Sequence, residues 1–162
     1  MRIDIRSAVV SDIEGMSEVV DSAWRVNYRD IFDEETIAAF TGERRRKSFA
    51  QLLDNGADIF VLTVDMKITA VCAAVKPESN KTADIAEILL LYVTPEFQRT
   101  GQGRKLLSHT LRKMREKGYS GAVLSTAEKN IPALEFYRKF GFTKIKTREY
   151  NGVSYVDLKI DF

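Results

Sequence analysis

Apolar positions change their spacing several times along the chain, and each change marks a new element. Ile3 and Ile5 alternate with charged residues and lead to Val9-Val10, which predicts a short, half-buried first strand. Ser11-Asp12-Ile13-Glu14 then has the form of a capping box, with serine at a helix start and glutamate three residues on. Ile13, Met16, Val20, Ala23 and Trp24 recur at helical spacing, so this helix runs to about Tyr28. A second helical stretch covers Asp33 to about Leu53, broken near Thr41-Gly42. Phe49, Leu52 and Leu53 face inward there, and Glu43-Arg44-Arg45-Arg46-Lys47 is charged.

Asn55-Gly56 closes that stretch, and the period then falls to that of strands. Ile59 to Val64 and Ile68 to Val75 form a hairpin about Asp65-Met66-Lys67. Lys76 to Lys81 reads as a polar loop, and Ile85 to Val93 is the strongest apolar strand, stopped at Thr94-Pro95. Helical spacing returns from Gly101 to Lys117, with Leu106, Leu107, Thr110, Leu111 and Met114 on one stripe. Gly118 ends it. His109 falls on the polar side of that helix and reads as a solvated surface residue. Ala122 to Ser125 is a short strand, and Asn130 to Phe140 a helix with proline in its first turn and Gly141 beyond its end. Phe142 to Tyr150 and Val153 to Ile160 close the chain as a hairpin about Asn151-Gly152. The order β-α-α-β-β-β-α-β-α-β-β predicts an α/β protein, a mixed sheet with helices in one domain over residues 1–162.

Composition narrows the class without naming a function. The 162 residues are 44% apolar and 30% charged, as in a folded globular protein, and the formal net charge of +2 does not suggest a nucleic-acid partner. One cysteine precludes an internal disulfide, and with one histidine it leaves no Cys/His metal site, so no metal is expected. Cys72, inside Ala70 to Val75, reads as an inert core thiol. The amino terminus lacks the apolar stretch of a signal peptide, and the run Ile88 to Val93 is far too short to span a membrane. The expected compartment is the cytoplasm, with no membrane partner.

The most informative stretch joins the strongest strand to the following helix: Tyr92-Val93-Thr94-Pro95-Glu96-Phe97-Gln98-Arg99-Thr100-Gly101-Gln102-Gly103-Arg104. Glycine lets an anion approach the backbone, the first amides of a helix have no internal partner, and the helix dipole adds positive character. Together these make an anion site, to which Arg99, Arg104 and Lys105 add charge, and a diphosphate is a plausible guest. The spacing is that of neither a Walker loop nor a dinucleotide fingerprint. By itself, Gly-x-Gly before a helix is equally the mark of a tight turn with solvated basic residues.

Gln98-Arg99-Thr100-Gly101-Gln102-Gly103 resembles the Gln/Arg-x-x-Gly-x-Gly/Ala signature of the GNAT superfamily, the general N-acetyltransferases that use acetyl-CoA. Leu91-Tyr92-Val93-Thr94-Pro95 is similar to the strand leading into that signature. Asn130-Ile131-Pro132-Ala133-Leu134-Glu135-Phe136-Tyr137-Arg138-Lys139-Phe140-Gly141-Phe142 is similar to the family's Asn…Ala…Tyr…Gly-Phe run. The resemblance implies a central, mostly antiparallel mixed sheet of about seven strands flanked by about four helices. It implies acetyl-CoA as co-substrate, its diphosphate held by backbone amides from about Arg99 to Arg104, with Gln98, Thr100, Gly101, Gln102 and Gly103 in the loop. Leu91, Tyr92 and Val93 would pair with the pantetheine arm, and a strand amide would polarise the acetyl carbonyl. Asn130 matches the asparagine that hydrogen-bonds the pantetheine, although asparagine there also suits a helix N-cap.

Tyr137 matches the tyrosine near the cofactor sulfur, where a phenol can donate a proton to the leaving thiolate. It is equally suited to core packing beside Phe136 and Phe140. An amine with a lysine-like pKa must lose a proton before it attacks, and Glu87 is the best candidate base. It lies eleven residues before Gln98 and is the sole acid between Ile85 and Thr94. It resembles the catalytic glutamate of histone-acetylating members. A substrate contact and a plain structural pairing remain open for it.

Trp24-Arg25-Val26-Asn27-Tyr28-Arg29-Asp30-Ile31-Phe32 resembles the Trp…Tyr segment of members related to spermidine and polyamine acetyltransferases. Trp24 and Tyr28 could receive an ammonium, and Asp30, Asp33, Glu34 and Glu35 could attract a polycation, but Trp24 also continues the inward helical stripe. The leading expectation is direct acetyl transfer to a small primary amine such as a polyamine. A lysine or amino-terminal acceptor on a protein is the alternative, and a non-catalytic acyl-CoA-binding regulatory module is a third reading. Superfamily members often dimerise, and the closing hairpin could supply an edge for a homodimer.

Overall fold

These periodicities become seven strands and five α-helices in the computed structural model, which describes residues 1–77 and 84–162. The elements are β1 (Ile3–Ser7), α1 (Ile13–Asn27), α2 (Glu34–Ala39), α3 (Glu43–Asp54), β2 (Asp58–Val64), β3 (Lys67–Val75), β4 (Ile85–Val93), α4 (Gln102–Glu116), β5 (Gly121–Ala127), α5 (Ile131–Phe140), β6 (Thr143–Tyr150) and β7 (Val153–Asp161). Single 3-10 turns at Val10–Asp12 and Pro95–Phe97 precede α1 and α4. The strands hydrogen-bond in the order β1-β2-β3-β4-β5-β7-β6, with β4 and β5 parallel, so the sheet is mixed as expected. Five helices stand where about four were expected. Gly42, at φ +70, cannot continue a helix and divides the stretch into α2 and α3. Of the expected polar loop Lys76 to Lys81, residues 78–81 lie outside the described residues.

Packing divides the chain into two compact units, Met1–Ala74 with Leu90–Thr110 and Val75–Leu89 with Leu111–Phe162. The first unit is built on the β2–β3 hairpin, whose strands are buried over most of their length. Met16, Val19 and Val20 of α1 and Phe49 of α3 close on Ile59, Val61, Val71 and Ala73. Each large side chain buried in this way contributes roughly 1.5–3 kcal/mol of apolar transfer. Cys72 is fully buried in β3, and burial pushes its thiol up to about 12, so it is an inert core group as expected.

The start of α1 differs from the expected capping box. The first strand ends at Ser7, Val9 and Val10 are exposed, and Asp12 rather than Ser11 organises the entry. Its carboxylate accepts from the Val9 amide at 2.8 Å and from both terminal nitrogens of Arg6 at 2.7 and 2.9 Å. The paired guanidinium holds the Asp12 carboxyl below its ordinary range. An acid able to satisfy an amide and a cation together displaces the serine, which offers only a hydroxyl.

The second unit is organised by β7, which pairs along seven residues with β5, from Gly121↔Asp161 to Ala127↔Tyr155, and on its other edge with β6. Asn151 and Gly152 both take positive φ, 49° and 76°, as a two-residue type I′ turn requires. Ala122, Leu124, Val156 and Leu158 are buried on one face, and Val123, Ser125, Asp157 and Lys159 alternate with them on a polar face. Among the described residues, no helix is long and apolar enough to cross a membrane.

Gly121 sets the approach of β5 to β7. A Cβ there would lie 2.5 Å from the Ile160 carbonyl oxygen and 3.3 Å from Ile85 Cδ1. A backbone oxygen held in a ladder cannot step aside, so Gly121→Ala should cost about 1–3 kcal/mol. The measurement is urea unfolding, with a lowered midpoint expected. An unchanged midpoint would show that this contact does not constrain the pair.

Candidate active site

In the first unit, the end of β4 is tied down before α4 begins. The Thr94 amide donates to Thr69 O at 2.9 Å, and Gln98 Nε2 donates to Val93 O at 3.1 Å. Gln102 is buried, and its Oε1 accepts from Thr69 Oγ1 at 2.7 Å, while the Thr100 hydroxyl donates to Phe97 O. Gln98 and Gln102 therefore hold the loop through their side chains, and what Gln102 can offer a ligand is its amide.

Between these anchors Arg99 and Gly101 take left-handed conformations, φ 63° and 87°. Alternating backbone handedness turns successive amides toward a common centre, the concave arrangement that binds anions. Among the described residues, no atom beyond Gly101 and its chain neighbours lies within 4 Å of where a Cβ on Gly101 would project. Helical bonding of α4 starts with Lys105 N–H donating to Gly101 O at 3.1 Å, so the amides ahead of it face out from the helix terminus. Arg99 and Arg104 are exposed beside them. Backbone donors, a helix dipole and flanking cations fit the diphosphate of coenzyme A.

Trp24, Tyr28 and Tyr92 meet in the same unit. Trp24 Nε1 donates to Tyr92 Oη at 3.0 Å, and the two tyrosine hydroxyls are 3.3 Å apart. Trp24 stacks on Phe32 at 5.6 Å and 10°, and meets Tyr28 edge-on at 4.9 Å. The Arg45 guanidinium, which sequence reasoning missed, lies 5.2 Å from the Trp24 ring and 3.6 Å from Asp21. Asp21 also accepts from the Gly42 amide at 2.9 Å, which fixes the start of α3. Trp24 thus serves as a packing centre whose ring already interacts with a cation of the chain. Asp33 caps α2 by accepting from the Thr36 amide at 2.7 Å, and the Thr36 hydrogen bonds hold its carboxyl below the ordinary range. Asp30, Glu34 and Glu35 are exposed. His109 departs from the expected solvated residue: it is half-buried, edge-on to Phe60 at 4.9 Å.

In the second unit, Asn130 and Tyr137 belong to one helix. Asn130 caps α5, its Oδ1 accepting from the Ala133 amide at 3.4 Å. That bond uses only the side-chain oxygen, and the NH2 is the group a pantetheine carbonyl would require. Tyr137, two turns on, is 8% exposed and packs edge-on to Phe136 at 5.2 Å and Phe142 at 5.6 Å.

The ladder between β4 and β5 covers only Ile85 to Glu87 with Gly121 to Val123, so Leu91, Tyr92 and Val93 lie beyond it. Glu87 ends this ladder and is half-buried. Burial raises its carboxyl above the ordinary range, Arg148 lowers it, and Asp157 raises it further. Arg148, Asp157 and Ser125 were not picked out from sequence. The one available signal was the polar alternation Tyr155, Asp157, Lys159 in the last strand.

Three comparisons agree with this architecture. The model of the acetyltransferase (GNAT) family matches residues 22–142. Spermidine N(1)-acetyltransferase of Thermoplasma acidophilum is 26% identical over 158 residues, 96% of each chain, and N-alpha-acetyltransferase 50 of Danio rerio is 24% identical over 149 residues, 91% of this chain and 79% of that one. The crystal structure of PaiA N-acetyltransferase from Thermoplasma acidophilum in complex with coenzyme A superposes with a TM-score of 0.84 over the whole of both chains at 24% identity, which shows the shared fold. Since the family match takes in β4, the phosphate loop and α5, the chain belongs to the acetyltransferase (GNAT) family and is an acetyl-CoA-dependent N-acetyltransferase.

Proposed function

We propose that the protein moves the acetyl group of acetyl-CoA directly to a primary amine of a small polycation, with a polyamine as the acceptor class. The observation that carries the donor side is the loop Gln98 to Arg104, where left-handed Arg99 and Gly101 gather amides at the start of α4. Those amides hold the diphosphate, and Leu91, Tyr92 and Val93, beyond the β4–β5 ladder, have backbone groups suited to the pantetheine arm. Asn130 reaches the arm with its side-chain NH2.

Glu87 takes the proton from the acceptor ammonium. The freed nitrogen bonds to the thioester carbonyl carbon, the carbon–sulfur bond breaks, and the sulfur takes a proton from the Tyr137 hydroxyl; the second proton that the nitrogen sheds on becoming an amide restores the phenol through solvent, and Glu87 releases its own proton to solvent. A carboxyl raised by burial is a stronger base than an ordinary glutamate. Support for a polyamine comes from the 26% identical spermidine N(1)-acetyltransferase, which matches along 96% of this chain, and from exposed Asp30, Glu34 and Glu35. Trp24 and Tyr28 contribute as an aromatic wall whose indole N–H and phenol hydroxyl both meet the Tyr92 hydroxyl, since the Trp24 ring already engages Arg45. The second reading, a protein amine as acceptor, is favoured by the 24% identical N-alpha-acetyltransferase 50.

The deciding measurement is CoA release from acetyl-CoA across a panel of polyamines, amino acids and peptides. Turnover with spermidine or spermine is expected. Turnover confined to peptides would replace the acceptor class, and CoA binding without turnover on any amine would make the protein a binding module.

Two substitutions test the chemical roles. Tyr137→Phe keeps the edge-on ring contacts and removes the proton, so kcat should fall about 10²-fold or more with little change in acetyl-CoA affinity. Glu87→Gln should lower kcat comparably and abolish the acidic limb of the kcat–pH profile. In the wild type that limb lies above the ordinary glutamate range, because protonating the raised carboxyl removes the base. Wild-type profiles in both variants would defeat the assignments.

A further inference from the structure

On the polar face of the second unit, strand register aligns four chemical groups. β4 meets β5 at Glu87↔Val123, β5 meets β7 at Ser125↔Asp157, and β7 meets β6 at Tyr155↔Arg148. Directly opposed residues share a face, as do residues two apart on one strand. Glu87, Ser125, Asp157 and Arg148 therefore stand on one side, with β4 and β7 two strand spacings apart, roughly 10 Å.

Arg148 is restrained more than its position requires. It lies on edge strand β6, where every residue is exposed, and its side chain is 45% accessible. A lone ion pair in that setting contributes little to stability. Yet Arg148 Nε donates to Asp157 Oδ1 and Oδ2 at 3.1 and 3.2 Å, and Nη2 donates to Ser125 Oγ at 3.2 Å. The Ser125 hydroxyl gives its own proton to Asp157 Oδ1, and the Tyr155 ring lies 5.5 Å from the guanidinium. Asp157, at 15% accessible, anchors the group from within. These hydrogen bonds go to Asp157 and Ser125 rather than to Glu87.

We propose that Arg148, clamped by Asp157 and Ser125, is a positioning residue for acetyl transfer. Its guanidinium reaches across to Ser125 on β5, the strand beside β4, where its positive charge favours the carboxylate form of Glu87, and Asp157 stops the guanidinium from closing on Glu87 and blocking it. The proposal rests on Glu87 being the base. Within the second unit the other cations on this face are Lys159, whose Nζ is 3.1 Å from Asp161, and Lys146, opposite Asp157 on β6. Neither offsets the burial of Glu87 as Arg148 does. Tyr155 and Tyr150, the latter two residues from Arg148 on β6, are the other titratable groups there, and Leu89, on the Glu87 side of β4, is apolar and 42% exposed.

The test is the kcat–pH profile of wild type, R148Q, R148K, D157N and E87Q with the panel's fastest acceptor, with thermal midpoints measured in parallel. R148Q removes a cation, so the acidic limb should move to higher pH by about half a unit or more. D157N removes an anion and releases Arg148 toward Glu87, so the limb should move to lower pH and the plateau fall several-fold. R148K retains the charge and should restore most of the wild-type limb. R148Q and D157N break the same ion pair, so a purely structural role predicts matching changes. Limbs that stay in place or move together would overturn the proposal. Survival of the limb in E87Q would instead defeat Glu87 as base. Its loss in E87Q, with no movement in R148Q and D157N, would remove only the positioning role.

Discussion

The loop ahead of α4 depends on a backbone that turns left-handed twice within three residues. Arg99 and Gly101 both carry positive φ, and the Arg99 conformation is costly for a residue with a Cβ. Such strain persists only where the surroundings over-determine it. Here the buried Thr69–Gln102 hydrogen bond fixes the helix start, and the Gln98 side chain fixes the strand end through Val93 O. Without both anchors the amides could relax toward ordinary turn geometry, and the loop would lose its concave donor surface. Gln102 is thus a buried strut and an amide donor at once, two roles that a motif read only as a phosphate loop would merge.

The aromatic cluster follows a similar economy. Trp24 lies near enough to the core to pack on it, yet its indole N–H must be satisfied, and the Tyr92 hydroxyl accepts it. That hydroxyl is also close to Tyr28, so β4 and α1 are coupled through polar edges as well as apolar faces. Arg45 adds a cation to the same ring while Asp21 carries the compensating charge. An acceptor binding here would meet a surface whose charge is already internally paired, and the exposed acids Asp30, Glu34 and Glu35 are then the groups left to attract a polycation.

Much of this was legible in the sequence because local rules governed it. The Asn151-Gly152 turn, the stripe of α4 and the apolar run of β4 each needed only their own residues. The start of α1 was misread because Arg6, outside the apparent capping box, recruits Asp12 at short range. His109 was misread because Phe60, far away in sequence, covers its ring. Ser125, Asp157 and Arg148 were invisible for a topological reason: β7 inserts between β5 and β6, and that order cannot be read from alternation within any one strand. Glu87 stands out in the sequence as a lone acid in an apolar strand, but the groups that shift its carboxyl do not.

As the proposed base, Glu87 would benefit from such distant neighbours. Burial alone would strengthen the base and, carried far enough, leave it protonated and inert. A cation in direct contact would reverse the error, keeping the carboxylate ionised but weakening it as a proton acceptor and occupying its oxygens. A guanidinium held back by its own carboxylate partner lies between these limits, offsetting part of the burial without competing for the proton. Because Arg148 and Asp157 act on Glu87 with opposite signs, the balance depends on their geometry rather than on their net charge. The ladder from β5 through β7 to β6 sets that geometry, and in the proposed mechanism a fold-level feature, strand order, thereby bears on reactivity at one carboxyl group.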